Sequence, residues 1–100
     1  MMIKIPKKFT IHCHEITVNI VPELEDGNYG EYNNVVEEIR IAENMREGSK
    51  LIPLSETQKL ATFLHELIHC MEWHCGKPYD EQEAQSYSGM LLEFLNTSIE

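Results

Sequence analysis

The hydrophobic periodicity of the chain changes at Ser55, and this change decides the fold class. Before Ser55, apolar and polar residues alternate over residues 9–21 and again over 37–42, which is the period of a strand with one buried face. After Ser55, apolar residues recur every three to four positions, the period of an amphipathic helix. A chain of 100 residues supports one modest core. We therefore predict a single α+β domain over residues 1–100.

The first half predicts a small antiparallel sheet of about three strands within residues 9–42. Residues 9–21 fit two tightly joined strands or one strand with a bulge, and a third strand is expected near residues 37–42. The intervening residues 22–34 are rich in glycine and asparagine, which is typical of a loop. Residues 44–53 are expected to form a second loop.

The second half predicts two packed helices. Ser55 with Gln58 fits a capping box, which starts a helix over about 56–75 that ends before Gly76 and Pro78. Asp80 with Glu83 fits a second box, and the following apolar stripe indicates a helix over about 81–96.

Composition excludes several classes of function. The formal net charge is -9, and no cluster of Lys and Arg is present, so nucleic acid is not an expected partner. The start lacks the apolar segment of a signal peptide and no apolar run reaches membrane-spanning length. We expect a cytoplasmic protein without membrane contact. The three cysteines lack the spacing of a disulfide scaffold and are expected to be reduced.

The helix over 56–75 carries the sequence HELIH, formed by residues 65–69. Residues four apart on a helix project from nearly the same direction one turn apart, so His65 and His69 can bind one metal ion. This geometry supplies two corners of a zinc tetrahedron. Glu66 lies about 100° around the helix from His65, close enough to hold a water and act as the general base.

A catalytic zinc usually has three protein ligands and a water, so the histidine pair needs a third residue. Glu72 lies on the same helix, where a third ligand would pull the ion against the helix surface. Glu81 and Glu83 start the last helix, which the short connection folds back so that either carboxylate can reach the histidines. Spacing alone leaves these two open, because Glu83 also suits a capping role after Asp80.

HELIH followed by EAQSYSGMLL resembles the motifs of the ImmA/IrrE family of zinc-dependent peptidases, specifically its small phage and prophage members, the minimal gluzincins. Their zinc helix reads H-E-L-x-H, and their next helix reads E-A-x-x-F-A-x-x-L-L, whose Glu is the third ligand. Glu83 matches that position here, with Tyr87 and Ser88 replacing the Phe-Ala pair. An IPKKF opening, an alternating hairpin and a Gly30-Glu31-Tyr32 turn are also similar, so the resemblance covers most of the chain.

The resemblance implies one Zn²⁺ held by His65, His69 and Glu83, with Glu66 as the catalytic base in hydrolysis of a peptide bond. It also implies a protein substrate, with a repressor-like regulator as substrate or neighbour, a phage or prophage origin and the host cytoplasm as location. The strand near residues 37–42 would edge the cleft and hold a peptide by strand addition. The oligomeric state is not indicated.

Two alternatives stand beside the peptidase. The first is a non-catalytic, zinc-stabilised protein-binding module, because a metal can supply much of the folding free energy of a small domain. The second is a metal-free fold in which HELIH is accidental.

The remaining histidines and cysteines suggest a rival metal site at first sight. They form two short groups, His12-Cys13-His14 and, near the end of the first helix, Cys70, His74 and Cys75. No Cys-x-x-Cys pair completes a site, so we expect strand-surface histidines and buried thiols instead.

Overall fold

A computed structural model describes residues 4–98 as six strands and two helices. The strands are β1 (Lys8–Ile11), β2 (His14–Val21), β3 (Gly30–Asn33), β4 (Glu38–Ala42), β5 (Asn44–Glu47) and β6 (Lys50–Pro53). The helices are α1 (Glu56–His74) and α2 (Glu81–Thr97), and a short 3₁₀ turn lies at Glu25–Gly27. The predicted α+β class is confirmed, and strands precede helices as the change of periodicity indicates.

The main sheet has four strands in the order β1-β2-β4-β3 and is mixed. β1 pairs with β2 and β3 pairs with β4 in antiparallel fashion, but β2 and β4 run parallel. The prediction of an antiparallel sheet of about three strands is therefore wrong. The difference arises because residues 22–34 contain β3, which turns back so that β4 inserts between β3 and β2.

The β1–β2 connection is a two-residue turn formed by His12 and Cys13. Both residues have positive φ angles, 49° and 68°, which is the backbone of a tight hairpin whose twist matches that of its strands. Of the two alternatives for residues 9–21, the structure has two tightly joined strands.

Strands β5 and β6 form a separate two-stranded sheet where the sequence predicts a loop. All residues of β6 are exposed, so no buried face imposes a strict alternation on its sequence. Gly48, at a φ of 62°, supplies the turn.

Helix α1 packs on one face of the main sheet and builds the core with it. The buried residues come from β2, β4 and the apolar stripe of α1: Ile16, Val18, Ile39, Ile41, Leu60, Phe63, Leu64 and Cys70. The capping box predicted at Ser55 and Gln58 is present in full. At the second helix, Asp80 caps the Glu83 N–H, but the Glu83 side chain makes no return bond.

Helix α2 lies against α1 and is mostly exposed. In residues 4–98 its only buried side chains are Ala84 and Ser88, while Leu92 and Leu95 pack against the core from the edge. Neither described helix is long and apolar enough to cross a membrane.

Candidate metal centre

The HELIH segment lies in the middle of α1, where its two histidines face the same side. The ring centroids of His65 and His69 are 4.9 Å apart, as expected for residues one helical turn apart. His65 is partly exposed and His69 is buried. The imidazole of His65 is therefore accessible to solvent, and that of His69 is not.

Glu81, in the first turn of α2, completes a three-residue group with these histidines. Its Oε2 lies 3.0 Å from His65 Nε2 and its Oε1 lies 2.7 Å from His69 Nε2. One ligand atom from each residue lies within 4.8 Å of the others, and this is the only such group among residues 4–98. The three residues can hold a metal ion.

His69 Nε2 is a buried polar atom without a hydrogen-bond partner. Glu81 Oε1 lies 2.7 Å from it, in an ion-pair contact that is not a hydrogen bond. An unpaired buried nitrogen is costly, and a metal ion would satisfy it. Two imidazoles and a carboxylate are also a donor set that suits zinc. The residues present therefore fit a zinc ion.

Glu83, which the resemblance to ImmA/IrrE peptidases assigns as the third ligand, lies elsewhere. Its Oε1 is 2.9 Å from Lys77 Nζ, and its backbone N–H donates to Asp80 Oδ1. Because residues two apart on a helix point about 200° away from each other, Glu81 and Glu83 cannot both face the histidines. The structure brings Glu81 to them, the other candidate that spacing leaves open.

Glu66 is buried beside the histidines, under the edge of the main sheet. Burial raises the pKa of its carboxyl group, and His65 and His69 partly offset that rise. A Cβ atom at Gly30 of β3 would lie 2.5 Å from Thr62 Cγ2 and 3.1 Å from Glu66 Cγ. The absence of a side chain at residue 30 thus lets β3 approach α1 closely at the candidate base.

A cleft of about 1080 Å³ opens over the three metal-binding candidates. Its floor is α1, and its walls are β3 with the residues before it and the first turns of α2. Sequence reasoning expects the strand near residues 37–42 at the cleft edge, and this is wrong. β4 is paired on both sides, and β3 is the edge strand on the side of the cleft.

The free edge of β3 exposes backbone hydrogen-bonding groups. The Ala42 N–H donates to the Tyr29 carbonyl at 2.8 Å, and the next pair in register is Gly30 with Ile41. Hydrogen-bonded and non-hydrogen-bonded pairs alternate in an antiparallel ladder. The N–H and C=O groups of Gly30 and Tyr32 therefore point away from β4.

A second cluster of histidines surrounds Glu37, near the C-terminal end of α1. Glu37 Oε2 lies 3.0 Å from His74 Nε2 and 3.3 Å from His14 Nδ1, and its Oε1 accepts the Tyr32 hydroxyl. The His12 ring lies 6.0 Å from that of His74. Sequence reasoning expects His12 and His14 on the strand surface; His14 lies on β2, but His12 lies in the turn before it, and the convergence of His14 and His74 on one carboxylate is missed.

The three cysteines are free thiols, but they differ in exposure. Cys13 and Cys75 are exposed and Cys70 is fully buried, so the prediction of buried thiols is correct only for Cys70. Burial raises the pKa of the Cys70 thiol, against a smaller opposite effect of Tyr32. We therefore expect this thiol to stay protonated and unreactive.

No family model, no curated protein and no solved structure matches this chain.

Proposed function

We propose that this protein is a zinc-dependent peptidase whose metal is held by His65, His69 and Glu81. One observation carries the proposal: three ligand atoms converge within 4.8 Å, and one of them, His69 Nε2, is buried without a hydrogen-bond partner. When bound, a zinc ion supplies Lewis acidity, which polarises a carbonyl group and makes a water molecule more acidic.

Glu66 is the general base in this proposal. It lies next to His65 in α1 and lines the same cleft, and burial raises its pKa, toward the range where a carboxylate exchanges protons effectively. The carboxylate accepts a proton from the attacking water as the water oxygen bonds to the carbonyl carbon. It then gives that proton to the amine nitrogen as the C–N bond breaks.

The free edge of β3 supports a peptide as the substrate. The outward N–H and C=O groups of Gly30 and Tyr32 can pair with an extended chain, as in other cases of strand addition. A chain held there runs along the cleft wall beside Glu66. The same backbone contacts would be made by any sequence, so they support a peptide class rather than one particular substrate.

Tyr79 is the tyrosine best placed to stabilise the oxyanion. Its ring packs 5.2 Å from that of His69, and its hydroxyl accepts a hydrogen bond from Asn34 Nδ2 at 2.8 Å, which leaves the O–H free to donate. By contrast, the Tyr32 hydroxyl already donates to Glu37.

The resemblance to ImmA/IrrE peptidases supports the same reaction class, with a repressor-like regulator as substrate and a phage origin. The family motif and the structure differ in the third metal ligand: the motif indicates Glu83, whereas Glu81 lies beside the histidines in the cleft. We therefore base the proposal on the site and treat substrate and origin as extensions of it.

The proposal is tested by digesting a denatured proteome-derived peptide library with zinc-loaded protein and reading new termini by mass spectrometry. We expect new termini with the wild type and none with Glu66→Gln, although the variant retains its zinc. Glu93→Gln is the matched control, because it removes an exposed carboxylate from α2, and it should cleave like the wild type. Equal cleavage by Glu66→Gln would contradict the role of Glu66.

A non-catalytic, zinc-stabilised binding module is the second candidate function. It is favoured by the exposed apolar face of α2, where Tyr87, Met90 and Phe94 are 49%, 59% and 63% exposed. Large exposed apolar side chains at helical spacing are typical of a surface that contacts another protein. A zinc-loaded wild type that cleaves nothing in the library would favour this module over the peptidase.

A further inference from the structure

Glu72 is among the most deeply buried charged residues described, and it contacts His69. Its side chain is 3% exposed, and its Oε1 lies 2.7 Å from His69 Nδ1. A carboxylate is buried at this depth only when something stabilises it. Because the contact is to Nδ1, Glu72 is on the opposite side of the imidazole from His69 Nε2, which faces Glu81.

The connection between the two helices encloses Glu72. The Lys77 N–H donates to the Glu72 carbonyl at 2.9 Å, and the Asp80 N–H approaches Glu72 Oε1 at 3.4 Å. Tyr79 in the same segment packs against the His69 ring. This connection leads directly into Glu81, so the segment that buries Glu72 also delivers the third candidate ligand.

We propose that Glu72 is a positioning residue for the metal centre: its carboxylate accepts the Nδ1–H of His69 and thereby directs the Nε2 lone pair at the metal position. A neutral imidazole carries one proton, and the partner of one ring nitrogen decides which nitrogen keeps it. Carboxylates on the far nitrogen of a metal-binding histidine have this effect in other proteins. The inference rests on the proposed metal site.

The first test uses metal-free protein and measures which nitrogen of each imidazole is protonated, from ¹⁵N chemical shifts. The sample is held above the pKa of His69, so that the ring is neutral. We expect the Nδ1–H form for His69 in the wild type and a shift toward the Nε2–H form in Glu72→Leu. An unchanged His69 signal in Glu72→Leu would overturn the inference, and His65 serves as the internal reference.

The second test measures the dissociation constant for Zn²⁺ by competition with a chelator. For Glu72→Leu we expect a constant about 10 to 100 times larger, the usual effect of losing such a partner. Glu72→Gln keeps a carbonyl oxygen that can accept the Nδ1–H, so it should lose less. Glu93→Gln is the control for the loss of one negative charge and should bind like the wild type.

The outcomes separate this inference from the proposed function. If Glu72 had only a structural role, its variants would change the free energy of unfolding and leave zinc affinity unchanged, which would overturn the inference. If Glu72→Leu did not fold, the isosteric Glu72→Gln would decide, because we expect it to bind zinc more weakly than the wild type. A wild type that binds no zinc would refute the proposed function, and the imidazole measurement would still show whether Glu72 sets the His69 tautomer.

Discussion

Helix α1 contributes histidines to two clusters that look alike in composition but differ in how their carboxylates are used. At the cleft, Glu81 is a 78% exposed side chain that approaches two imidazoles, and the Nε2 of one of them, His69, has no hydrogen-bond partner. At the other cluster, Glu37 is 18% exposed and lies between His14 and His74, with the Tyr32 hydroxyl as an additional donor.

The difference shows that a group of histidines around a glutamate does not by itself indicate a metal site. Glu37 is already paired by its neighbours, and its cluster ties the β1–β2 hairpin to the end of α1. The cleft cluster has ligand atoms within 4.8 Å of one another and an unsatisfied nitrogen. The cleft cluster can therefore hold a metal ion, and we propose a structural role for the Glu37 cluster.

The largest expected effect separates the clusters by zinc affinity. His69→Ala removes the buried ligand, and we expect a dissociation constant at least about 100 times larger, above the usual effect of changing a residue outside the ligand shell. His74→Ala should leave the constant unchanged. Chelator competition measures both, and equal losses from the two variants would remove the distinction between the clusters.

The next effect separates the two glutamates in the first turn of α2, Glu81 and Glu83. Glu81→Ala removes a ligand and should weaken zinc binding by about 10-fold or more. Glu83→Ala should have a smaller effect on zinc, because its carboxylate contacts Lys77 and Glu72 instead of the two histidines. Isothermal titration with zinc measures both. If Glu83→Ala lost zinc and Glu81→Ala kept it, the family motif would be the better guide than the geometry.

The Glu37 cluster should affect stability rather than zinc. Glu37→Ala leaves the Tyr32 hydroxyl and the partly buried His74 nitrogen without their acceptor, which should lower the free energy of unfolding by about 1–3 kcal/mol. Urea unfolding of the zinc-loaded protein measures this change. Glu47→Ala, at an exposed position of β5, is the control and should stay within about 0.5 kcal/mol. If Glu37→Ala lost its zinc, the metal would lie at the Glu37 cluster, and our placement of it in the cleft would be wrong.

The last effect, of similar size, concerns the close approach of β3 to the cleft floor. Gly30→Ala introduces a Cβ atom 2.5 Å from Thr62 Cγ2, and Thr62 is held by its hydroxyl bond to the Gln58 carbonyl. Such overpacking costs about 1–3 kcal/mol. Gly89→Ala, where a Cβ atom meets nothing within 4 Å, should instead stabilise helix α2 by about 0.5–1 kcal/mol. Thermal unfolding of both variants would show the opposite signs, and a stable Gly30→Ala would contradict the tight packing at Glu66.

The sequence predicts the helices well because their signals are local. The capping box at Ser55 and the Asp80 cap before α2 lie within a few residues of the ends they specify. The position of β4 depends on pairing with β2 and β3 together, which no local pattern contains. For that reason the mixed sheet and its edge strand were not predictable from periodicity.

In the candidate site, too, local spacing predicts some residues, and tertiary packing decides the others. Helical spacing alone predicts that His65 and His69 share a face and that Glu66 lies beside them. The choice of Glu81 depends on how α2 rotates against α1, which the Lys77–Glu83 ion pair and the enclosed connection influence. The contact of Glu72 with His69 Nδ1 depends on burial by that same connection, so spacing could suggest Glu72 only as a possible ligand.

The metal content of the purified protein shows directly whether His65 and His69 bind zinc. The wild type and a His65→Ala/His69→Ala double variant are loaded with zinc, freed of excess by gel filtration and measured by plasma mass spectrometry. The account predicts about one zinc per wild-type chain and none in the double variant, with circular dichroism showing that both are folded. A folded wild type without zinc, or a double variant that retains as much zinc as the wild type, would contradict it.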